Sequence, residues 1–198
     1  MTYPNVSRET SESLEDFAEE LLRWTAKINL IGRSTTADIA ERHIADSIQV
    51  VNAAPVDIAK WVDLGSGGGL PVVVAAILRK YERTQFVAVE SDQRKATFLR
   101  HMATRQELKL KVLAERIEAA PQQAADVVSA RALAPLHTLL GFARHHGKPD
   151  SLCLFPKGNS FQDEIDRARM DFRFDVEILP SKISAGSVVL KIKDIQDV

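Results

Sequence analysis

Apolar residues recur at helical spacing in two segments near the start of the chain. In the first, they lie three and four positions apart from Leu14 to Ile28, with acidic residues between them. In the second, similar spacing runs from Ile39 to Val51 and stops before Ala53-Ala54-Pro55. This periodicity predicts two amphipathic helices, and the proline favours the end of the second one. We expect a helical extension that lies outside the core sheet.

The pattern changes after Lys60, where short apolar runs alternate with longer amphipathic segments. That alternation is typical of a parallel sheet covered by helices. We therefore expect one α/β domain over residues 1–198, in which 1–55 form the extension and 56–198 the core. The predicted strands are 61–64, 85–89, 111–114, 126–129, 152–155, 175–179 and 188–192.

The segments between these strands predict further helices over 71–81, 93–108 and 136–143. Pro71 would lie in the first turn of the first of them, where its missing N–H costs nothing. The sequence Gly147-Lys148-Pro149-Asp150 predicts a turn.

The composition fits a single globular domain, because 45% of the 198 residues are hydrophobic and 27% are charged. Cys153 is the only cysteine, which excludes an intramolecular disulfide framework. The N-terminal residues are polar and unlike a signal peptide. The longest apolar run, 70–78, is far shorter than the roughly 20 residues that span a bilayer. We expect a cytoplasmic monomer without a membrane span.

Charge is distributed unevenly along the chain, although the net charge is -1. Residues 1–23 contain two Arg against six acidic residues, whereas 92–116 contain seven Lys or Arg against three. Binding of a phosphate backbone depends on local positive potential and not on the net charge of the chain. The basic stretch is as consistent with a solvated helix face as with an RNA contact.

A glycine-rich turn, Asp63-Leu64-Gly65-Ser66-Gly67-Gly68-Gly69, follows the first predicted strand. Between a strand and a helix, Gly65, Gly67 and Gly69 let the backbone pass very close to a bound nucleoside. The spacing alone is equally consistent with a structural turn. Glu90 ends the next predicted strand, about 20 residues later, where a carboxylate accepts hydrogen bonds from both ribose hydroxyls. Together these residues indicate a nucleoside cofactor.

The residues beside the turn distinguish between two such cofactors. A dinucleotide-binding turn usually has glycine at the position of Leu70 and faces a pyrophosphate. S-adenosylmethionine has an amine, a carboxylate and a sulfonium but no phosphate, so a shorter turn preceded by an acid suits it better. Asp63 is that acid. The sequence therefore favours a methyltransferase, while a nicotinamide-dependent dehydrogenase stays as an alternative on the glycines and Glu90.

Seven groups of residues then complete a pattern that extends over most of the chain. They are Trp24 with Lys27-Ile28-Asn29-Leu30, Arg42 to Ser47, Asp63 to Pro71, Lys95 with Phe98-Leu99, Arg116-Ile117-Glu118, Ser129-Ala130-Arg131-Ala132, and Lys157-Gly158. In this order they resemble the RsmG (GidB) family of methyltransferases, which modify N7 of guanine 527 in bacterial 16S ribosomal RNA. The resemblance implies a seven-stranded, Rossmann-like class I methyltransferase sheet with an N-terminal helical extension.

The resemblance also implies site residues and shows two departures from the family. By position it implies S-adenosylmethionine contacts at Gly65, Leu70, Ile117, Glu118 and Arg131, whereas Glu90 rests on the ribose argument. Val72 stands where the family usually has glycine, which should affect only helix packing. Thr25 stands where the family usually has asparagine, so a helix–helix or RNA contact there is left open.

Methylation at guanine N7 requires few catalytic groups. N7 has an in-plane lone pair and no proton, so its attack on a sulfonium methyl needs alignment and desolvation but no general base. Methylation of an exocyclic amine would favour an Asn/Asp-Pro-Pro-aromatic loop after the fourth strand, where this chain has Ser129-Ala130-Arg131-Ala132. Cys153 lies between two leucines in a predicted strand, which favours a buried hydrophobe over a nucleophile for C5-pyrimidine methylation.

Arg131 is the candidate for positioning the acceptor, because a guanidinium at a strand end can donate to guanine O6 or to a phosphate. A structural salt bridge is the alternative role. His43, Asp46 and Ser47 share one helical face. The resemblance makes them active-site residues that position a flipped guanine or close the cofactor pocket, while packing or capping is the alternative. His145 and His146 predict a solvated loop, and we expect no metal site.

Recognition of RNA is expected to depend on basic side chains and on folded RNA shape. Aromatic residues make up only 6% of the chain, which argues against an extended stacking platform. We expect the partner to be 16S rRNA or the 30S subunit or its precursor. A non-catalytic RNA-binding or ribosome-assembly factor that holds the cofactor stays as an alternative, because no catalytic base is apparent. The candidate phosphate contacts are Lys95, Arg100 and Lys157, with Arg94, Arg105, Lys109 and Lys111 nearby.

Overall fold

In the described residues, two helices precede an alternating series of strands and helices. The structure, a computed structural model, describes residues 6–32 and 43–198. The helices are α1 Arg8–Thr25, α2 Ala45–Ala53, α3 Val72–Leu78, α4 Gln93–Arg105, α5 Leu136–His146 and α6 Phe161–Ala168. The strands are β1 Lys60–Leu64, β2 Gln85–Val89, β3 Leu110–Leu113, β4 Ala125–Ala130, β5 Gly147–Lys157, β6 Phe172–Pro180 and β7 Val188–Asp197.

The seven strands form one sheet in the order β3-β2-β1-β4-β5-β7-β6. Strands β1 to β5 pair with one another in parallel, whereas β7 is antiparallel to both β5 and β6. A parallel connection needs about a dozen residues or more, usually a helix. Only residues 181–187 separate β6 from β7, so this last pair is antiparallel, in contrast to the parallel sheet expected from the alternation.

The central strands are buried along nearly their whole length, which explains their continuous apolar sequence. In β1 and β2 all residues except the first are buried, and in β4 all except one. Strands covered by helices on both faces have this composition. The edge strand β6 instead alternates between buried and exposed positions at its start. The sheet is therefore deepest where β1 lies between β2 and β4.

Two hydrophobic clusters cover the two faces of the sheet. Trp61 and Val62 are successive residues of β1 and point to opposite faces. Trp61 packs with residues of α1 to α4, including Phe17 and Phe98, whereas Val62 packs with residues of α5 and α6, including Leu136. The helical extension is thus part of the packing on one face of the sheet.

Buried polar contacts also join the extension to the core. Glu20 of α1 is almost completely buried and accepts hydrogen bonds from Trp24 Nε1 at 3.2 Å and Arg23 Nη1 at 2.7 Å. Its Oε2 also lies 3.0 Å from His101 Nε2 on α4. At the end of α2, the Arg79 guanidinium donates to the carbonyls of residues 51, 54 and 55. Both helices of the extension are therefore anchored by side chains of the core.

The predicted elements are confirmed with several corrections. The turn predicted at 147–150 is wrong, because these residues begin β5 and Gly147 pairs with Ala125 of β4. Helix α6 was not predicted. The helix predicted to end at residue 108 ends at Arg105, and Glu107 has a positive φ of 52°, which terminates a right-handed helix.

Three further differences concern helix ends. Pro71 precedes α3 as its N-cap residue, and α3 ends at Leu78 before the exposed Tyr81. Helix α5 continues past the predicted end at residue 143 to His146, whose side chain is buried. The predicted start of the second helix at Ile39 lies outside the described residues, as does Arg42. In the described part of the chain, no helix combines the length and apolar character needed to cross a membrane.

Candidate functional site

The predicted cofactor residues converge at the carboxyl ends of three adjacent strands. Strand β1 lies between β2 and β4, and Asp63 is paired with Ala88 on one side and Ser129 on the other. The glycine turn, Glu90 and Arg131 directly follow β1, β2 and β4. In open α/β sheets, ligands bind at this edge, beside the point where the strand order reverses. The sheet topology therefore brings together residues that are far apart in sequence.

The glycine turn adopts a conformation that favours glycine at three positions. Gly65, Gly67 and Gly69 have φ values of 63°, 52° and 82°, in the region that side chains with a Cβ rarely adopt. A Cβ on Gly69 would also lie 2.4 Å from Val73 Cγ2. Gly69 N donates to Ser66 O at 2.7 Å and closes the turn. Leu70 follows as a buried residue.

Glu90 holds the turn in place through its carboxylate. Oε2 accepts a hydrogen bond of 2.8 Å from Gly67 N, and Oε1 accepts one of 2.8 Å from Asp92 N. The side chain is buried. Each carboxylate oxygen has two lone pairs, so both retain capacity for a further donor. The geometry is compatible with the predicted ribose contact, which stays a prediction.

Asp63 is a buried acid whose two carboxylate oxygens differ in their hydrogen bonds. Its Oδ1 accepts a 2.6 Å hydrogen bond from Ser129 Oγ, which in turn accepts one of 2.8 Å from Trp61 Nε1. Among the described residues, none forms a hydrogen bond with Oδ2. Burial raises the pKa of Asp63 to about 7, opposed by the Ser129 hydroxyl and the Arg131 charge. The sequence identified Asp63 but not the Trp61–Ser129 relay that orients it.

Arg131 contacts His43 across the cleft between β4 and the start of the second helix. Arg131 Nη2 is hydrogen-bonded to His43 Nδ1. A guanidinium can only donate, so Nδ1 is the acceptor and the imidazole is neutral with its proton on Nε2. His43 is buried and Arg131 is half-buried. The two candidate active-site residues therefore lie together, although 88 positions separate them in the sequence.

The other residues on the His43 face join α2 to the β6–β7 loop. Ser47 Oγ donates to His43 O at 2.7 Å, and Asp46 Oδ1 accepts from Ser181 Oγ at 3.0 Å. Gln49 donates through Nε2 to Pro180 O and accepts through Oε1 from Lys182 N. These contacts hold the β6–β7 loop against the extension. No local pattern of residues indicates that Ser181 belongs to this site.

A cavity of about 720 Å³ opens beside the glycine turn. Its lining includes His43, Asp46, Arg131, Lys157 and Glu164. Leu133 separates the cavity from the turn, because a Cβ on Gly65 would lie 2.6 Å from Leu133 Cδ1. A cavity of this volume is within the usual range for small-molecule sites. The site thus has two neighbouring parts, the glycine turn and this cavity.

Ile117 and Glu118 lie in the turn between β3 and β4, where their side chains have different environments. The Ile117 side chain is buried in the core, whereas Glu118 is exposed. Ile117 O accepts a 3.0 Å hydrogen bond from Nε2 of the buried His146. Burial lowers the pKa of His146, which favours the neutral ring. The solvated loop expected for His145 and His146 is wrong, because both residues belong to α5 and His146 is buried.

The predicted RNA contacts fall into two groups. Among the described residues, none forms a hydrogen bond or ion pair with the side chain of Lys95 or Arg100, and Arg100 is exposed on α4. Lys157 is instead only 9% exposed and donates to Ala134 O at 2.9 Å and Glu164 Oε2 at 2.7 Å. Three of the neighbouring cations are also bonded to protein groups: Arg94 to Asp92, Arg105 to Asp16, and Lys109 to Glu82 O.

Three other residues singled out in the sequence are buried or hydrogen-bonded within their own helix or strand. Cys153 is buried in β5, and burial raises the pKa of its thiol to about 12, which confirms the interpretation as a buried hydrophobe. Val72 is fully buried at the start of α3. Thr25 Oγ1 donates to Leu21 O within its own helix at 2.6 Å. Within the described ranges, no group of three or more potential ligands could hold a metal ion.

Comparisons with known sequences give extensive matches. The family model described as rRNA small subunit methyltransferase G matches residues 10–186. A protein of that name from Cereibacter sphaeroides is 49% identical over 96% of this chain and 92% of its own length. Another, from Gluconobacter oxydans, is 44% identical over 98% of both chains. The similarity therefore extends over both the helical extension and the core.

Solved structures share the fold at much lower sequence identity. A SAM-dependent methyltransferase from Aquifex aeolicus superimposes with a TM-score of 0.62 at 11% identity, over 78% of this chain and 93% of that one. The TYW2 protein of M. jannaschii, solved in complex with AdoMet, gives a TM-score of 0.59 at 14% identity, over 79% and 76%. These matches confirm the class I methyltransferase fold with its seven-stranded sheet.

Proposed function

The chain belongs to the rRNA small subunit methyltransferase G family, and on this premise we propose that it transfers a methyl group from S-adenosylmethionine to N7 of a guanine in small-subunit ribosomal RNA. By family, the acceptor is guanine 527 of 16S rRNA. Family membership excludes the nicotinamide-dependent dehydrogenase considered from the sequence. We place the enzyme in the cytoplasm as a monomer acting on 16S rRNA, either free or within the 30S subunit.

The observation that carries the cofactor assignment is the buried Asp63 Oδ2 beside the glycine turn, which accepts no hydrogen bond from any described residue. A buried carboxylate oxygen without a donor is costly, and the cationic amine of the methionine moiety would supply the missing donor. Gly65, Gly67 and Gly69 allow the positive-φ backbone of the turn, and among the described residues, apart from its chain neighbours, no side chain lies within 4 Å of the position of a Cβ on Gly67. Glu90 lies next to the turn with lone pairs available for the ribose hydroxyls. The residues therefore fit S-adenosylmethionine.

Ile117 and Glu118 would complete the cofactor site from the β3–β4 turn. Buried His146 fixes the backbone of this turn through Ile117 O. The exposed Glu118 side chain then has freedom to approach the ligand. Leu70, a buried residue between the glycine turn and α3, is the remaining predicted contact.

When bound, the cofactor supplies an electrophilic methyl group, which guanine N7 can accept without losing a proton. The protein therefore has to align the base, exclude water and tolerate a positive charge on the guanine ring. Arg131 lies at the border between the turn and the cavity and can donate to O6, the acceptor next to N7. His43 accepts one guanidinium N–H and thereby fixes the direction of the others. We propose that this pair positions the acceptor and that Asp46 closes the cavity through Ser181.

Purified protein incubated with methyl-labelled S-adenosylmethionine and small-subunit particles from cells that lack the gene tests this proposal. Incorporation of label into the RNA is the expected result, with free 16S rRNA as a parallel substrate. Binding of the cofactor without any incorporation into either substrate would instead favour the non-catalytic assembly factor. Particles from cells that retain the gene are the control, because their site is already methylated.

A further inference from the structure

Glu164 is positioned in the wall of the cavity by two donors that bind the same carboxylate oxygen. Leu136 N, at the start of α5, donates to Oε2 at 2.7 Å. Lys157 Nζ donates to the same oxygen at 2.7 Å, and is itself fixed by a bond to Ala134 O. The Glu164 side chain is 21% exposed, whereas the Lys157 side chain is only 9% exposed. This carboxylate is therefore rigidly held but still accessible from the cavity.

The two oxygens of Glu164 have different hydrogen-bond capacity. Oε2 already accepts two hydrogen bonds, which uses its two lone pairs. Among the described residues, none forms a hydrogen bond with Oε1. Since Glu164 lines the cavity, it presents a fixed, anionic acceptor to a molecule bound there. The complementary ligand group is an N–H donor.

We propose that Glu164 Oε1 recognises the acceptor guanine by accepting a hydrogen bond from its exocyclic N2 amine. This inference rests on the proposed function and assigns specificity within the same site. N2 lies at the opposite end of the base from N7, and the cavity is lined both by Arg131, which follows β4, and by Glu164, which belongs to α6. Adenine has no amine at this position, so an acceptor here favours guanine over the other purine.

The charge of Glu164 adds a catalytic consequence to this recognition. Methylation at N7 places a positive charge on the base, which makes its N–H groups stronger donors. A hydrogen bond from N2 to a carboxylate therefore strengthens as the methyl group is transferred. Interactions that are stronger in the transition state than in the ground state raise kcat. Glu164 contributes to both base selection and turnover.

The Glu164→Gln substitution tests this role while preserving the shape of the side chain. The amide oxygen can keep the bonds from Leu136 N and Lys157 Nζ, which turns the NH₂ group toward the cavity. A donor then faces the donor on N2. Asp166→Asn is the matched control, because Asp166 is exposed on the same helix and bonds to Gln162. Thermal unfolding and S-adenosylmethionine titration report whether each variant is folded and binds cofactor.

The decisive substrate pair is small-subunit rRNA with guanine or with inosine at the acceptor position, each reconstituted into particles. Inosine retains N7 and O6 but lacks the N2 amine. In the wild type we expect kcat/KM to be about ten- to a hundredfold lower for inosine than for guanine. In Glu164→Gln we expect guanine activity to fall by a similar factor and the difference between the two bases to disappear. Asp166→Asn should behave as the wild type.

The outcomes separate this inference from the proposed function. Failure of the wild type to methylate the guanine substrate contradicts the proposed function itself. If the wild type methylates the inosine substrate as efficiently as the guanine substrate, the proposed role of Glu164 is wrong, while the proposed function is unaffected. The same conclusion follows if folded, cofactor-binding Glu164→Gln still prefers guanine to inosine as strongly as the wild type does.

Discussion

Ser129 Oγ donates a 2.6 Å hydrogen bond to Asp63 Oδ1, joining the ends of β4 and β1 under the glycine turn. The hydroxyl also accepts from Trp61 Nε1 at 2.8 Å, so its own proton is directed at the carboxylate. The bond therefore stabilises the charged form of Asp63 against the effect of burial. It also leaves Oδ2 as the oxygen available to a ligand. Cofactor binding should depend on this relay.

We expect the affinity for S-adenosylmethionine to increase with pH in the range where Asp63 ionises. Burial raises the pKa of Asp63 to about 7, and a cationic amine binds the carboxylate and not the acid. Below that pKa, the affinity should rise by up to about tenfold per pH unit. Calorimetric titration between about pH 5.5 and 7 measures this dependence. Asp63→Asn should bind more weakly and without this slope, and an equally steep slope in that variant would contradict the assignment.

The same group predicts how the stability of the free protein changes with pH. Because the pKa of Asp63 is higher in the folded than in the unfolded state, the folded protein binds more protons between about pH 4 and 7. Stability attributable to Asp63 should therefore fall as pH rises through this range. Urea unfolding gives the free energies of unfolding of the wild type and of Asp63→Asn. As pH rises, the wild type should lose stability relative to the variant.

Replacement of Gly69 by alanine should destabilise the protein and weaken cofactor binding. The positive φ of 82° costs about 1 kcal/mol for a residue with a Cβ. The added Cβ would also lie 2.4 Å from Val73 Cγ2, which must move. Gly141→Ala is the matched control, because Gly141 is inside α5 and, apart from its chain neighbours and the nearby backbone of that helix, no described atom lies within 4 Å of its added Cβ. This control should raise stability by about 0.5 to 1 kcal/mol.

Arg131→Ala should abolish turnover while the protein remains folded. Arg131 is half-buried at the cavity and contacts His43, and it is not part of a hydrophobic cluster. Loss of an aligned charged donor typically costs about 10² to 10³ in rate. Methyl transfer and thermal unfolding should be measured together. Wild-type turnover in this variant would remove Arg131 from the acceptor site.

Replacement of the buried Glu20 by alanine should destabilise the contact between the extension and the core. The carboxylate is 3% exposed and bonds to Arg23 and Trp24, with His101 of α4 at 3.0 Å. Leaving these donors without an acceptor costs about 1 to 3 kcal/mol. Glu19→Ala is the control, since Glu19 is exposed one residue earlier on the same helix. Similar unfolding free energies for the two variants would show that Glu20 does not anchor the extension.

Local sequence features predicted the strands and the cofactor turn well, because both depend on short stretches of chain. The buried parallel strands appear as continuous apolar runs, and the alternation of Gly65, Gly67 and Gly69 specifies the turn. The segment 147–150 was mispredicted because its Gly, Lys, Pro and Asp residues favour a turn locally. Its pairing with β4 is a long-range interaction that the local pattern does not contain.

The contacts around the cavity could not be predicted from the sequence, because they too are long-range interactions. The Asp46–Ser181 bond joins residues 135 positions apart, and the Arg131–His43 contact joins residues 88 apart. Neither pair is related by helical or strand periodicity. The resemblance to a family placed Arg131 and His43 at the site, but the tautomer of His43 and the orientation of Glu164 follow only from the three-dimensional packing.

The central claim is tested most directly by identifying the methylated atom. Small-subunit rRNA methylated by the purified protein should be digested to nucleosides for mass spectrometry and, in parallel, treated with borohydride and aniline, which cleave RNA at N7-methylguanosine. The account predicts N7-methylguanosine and cleavage at one guanine of the 16S rRNA, both absent when Arg131→Ala replaces the wild type. Methylation at another atom or another base, or no transfer by protein that binds the cofactor, would contradict it.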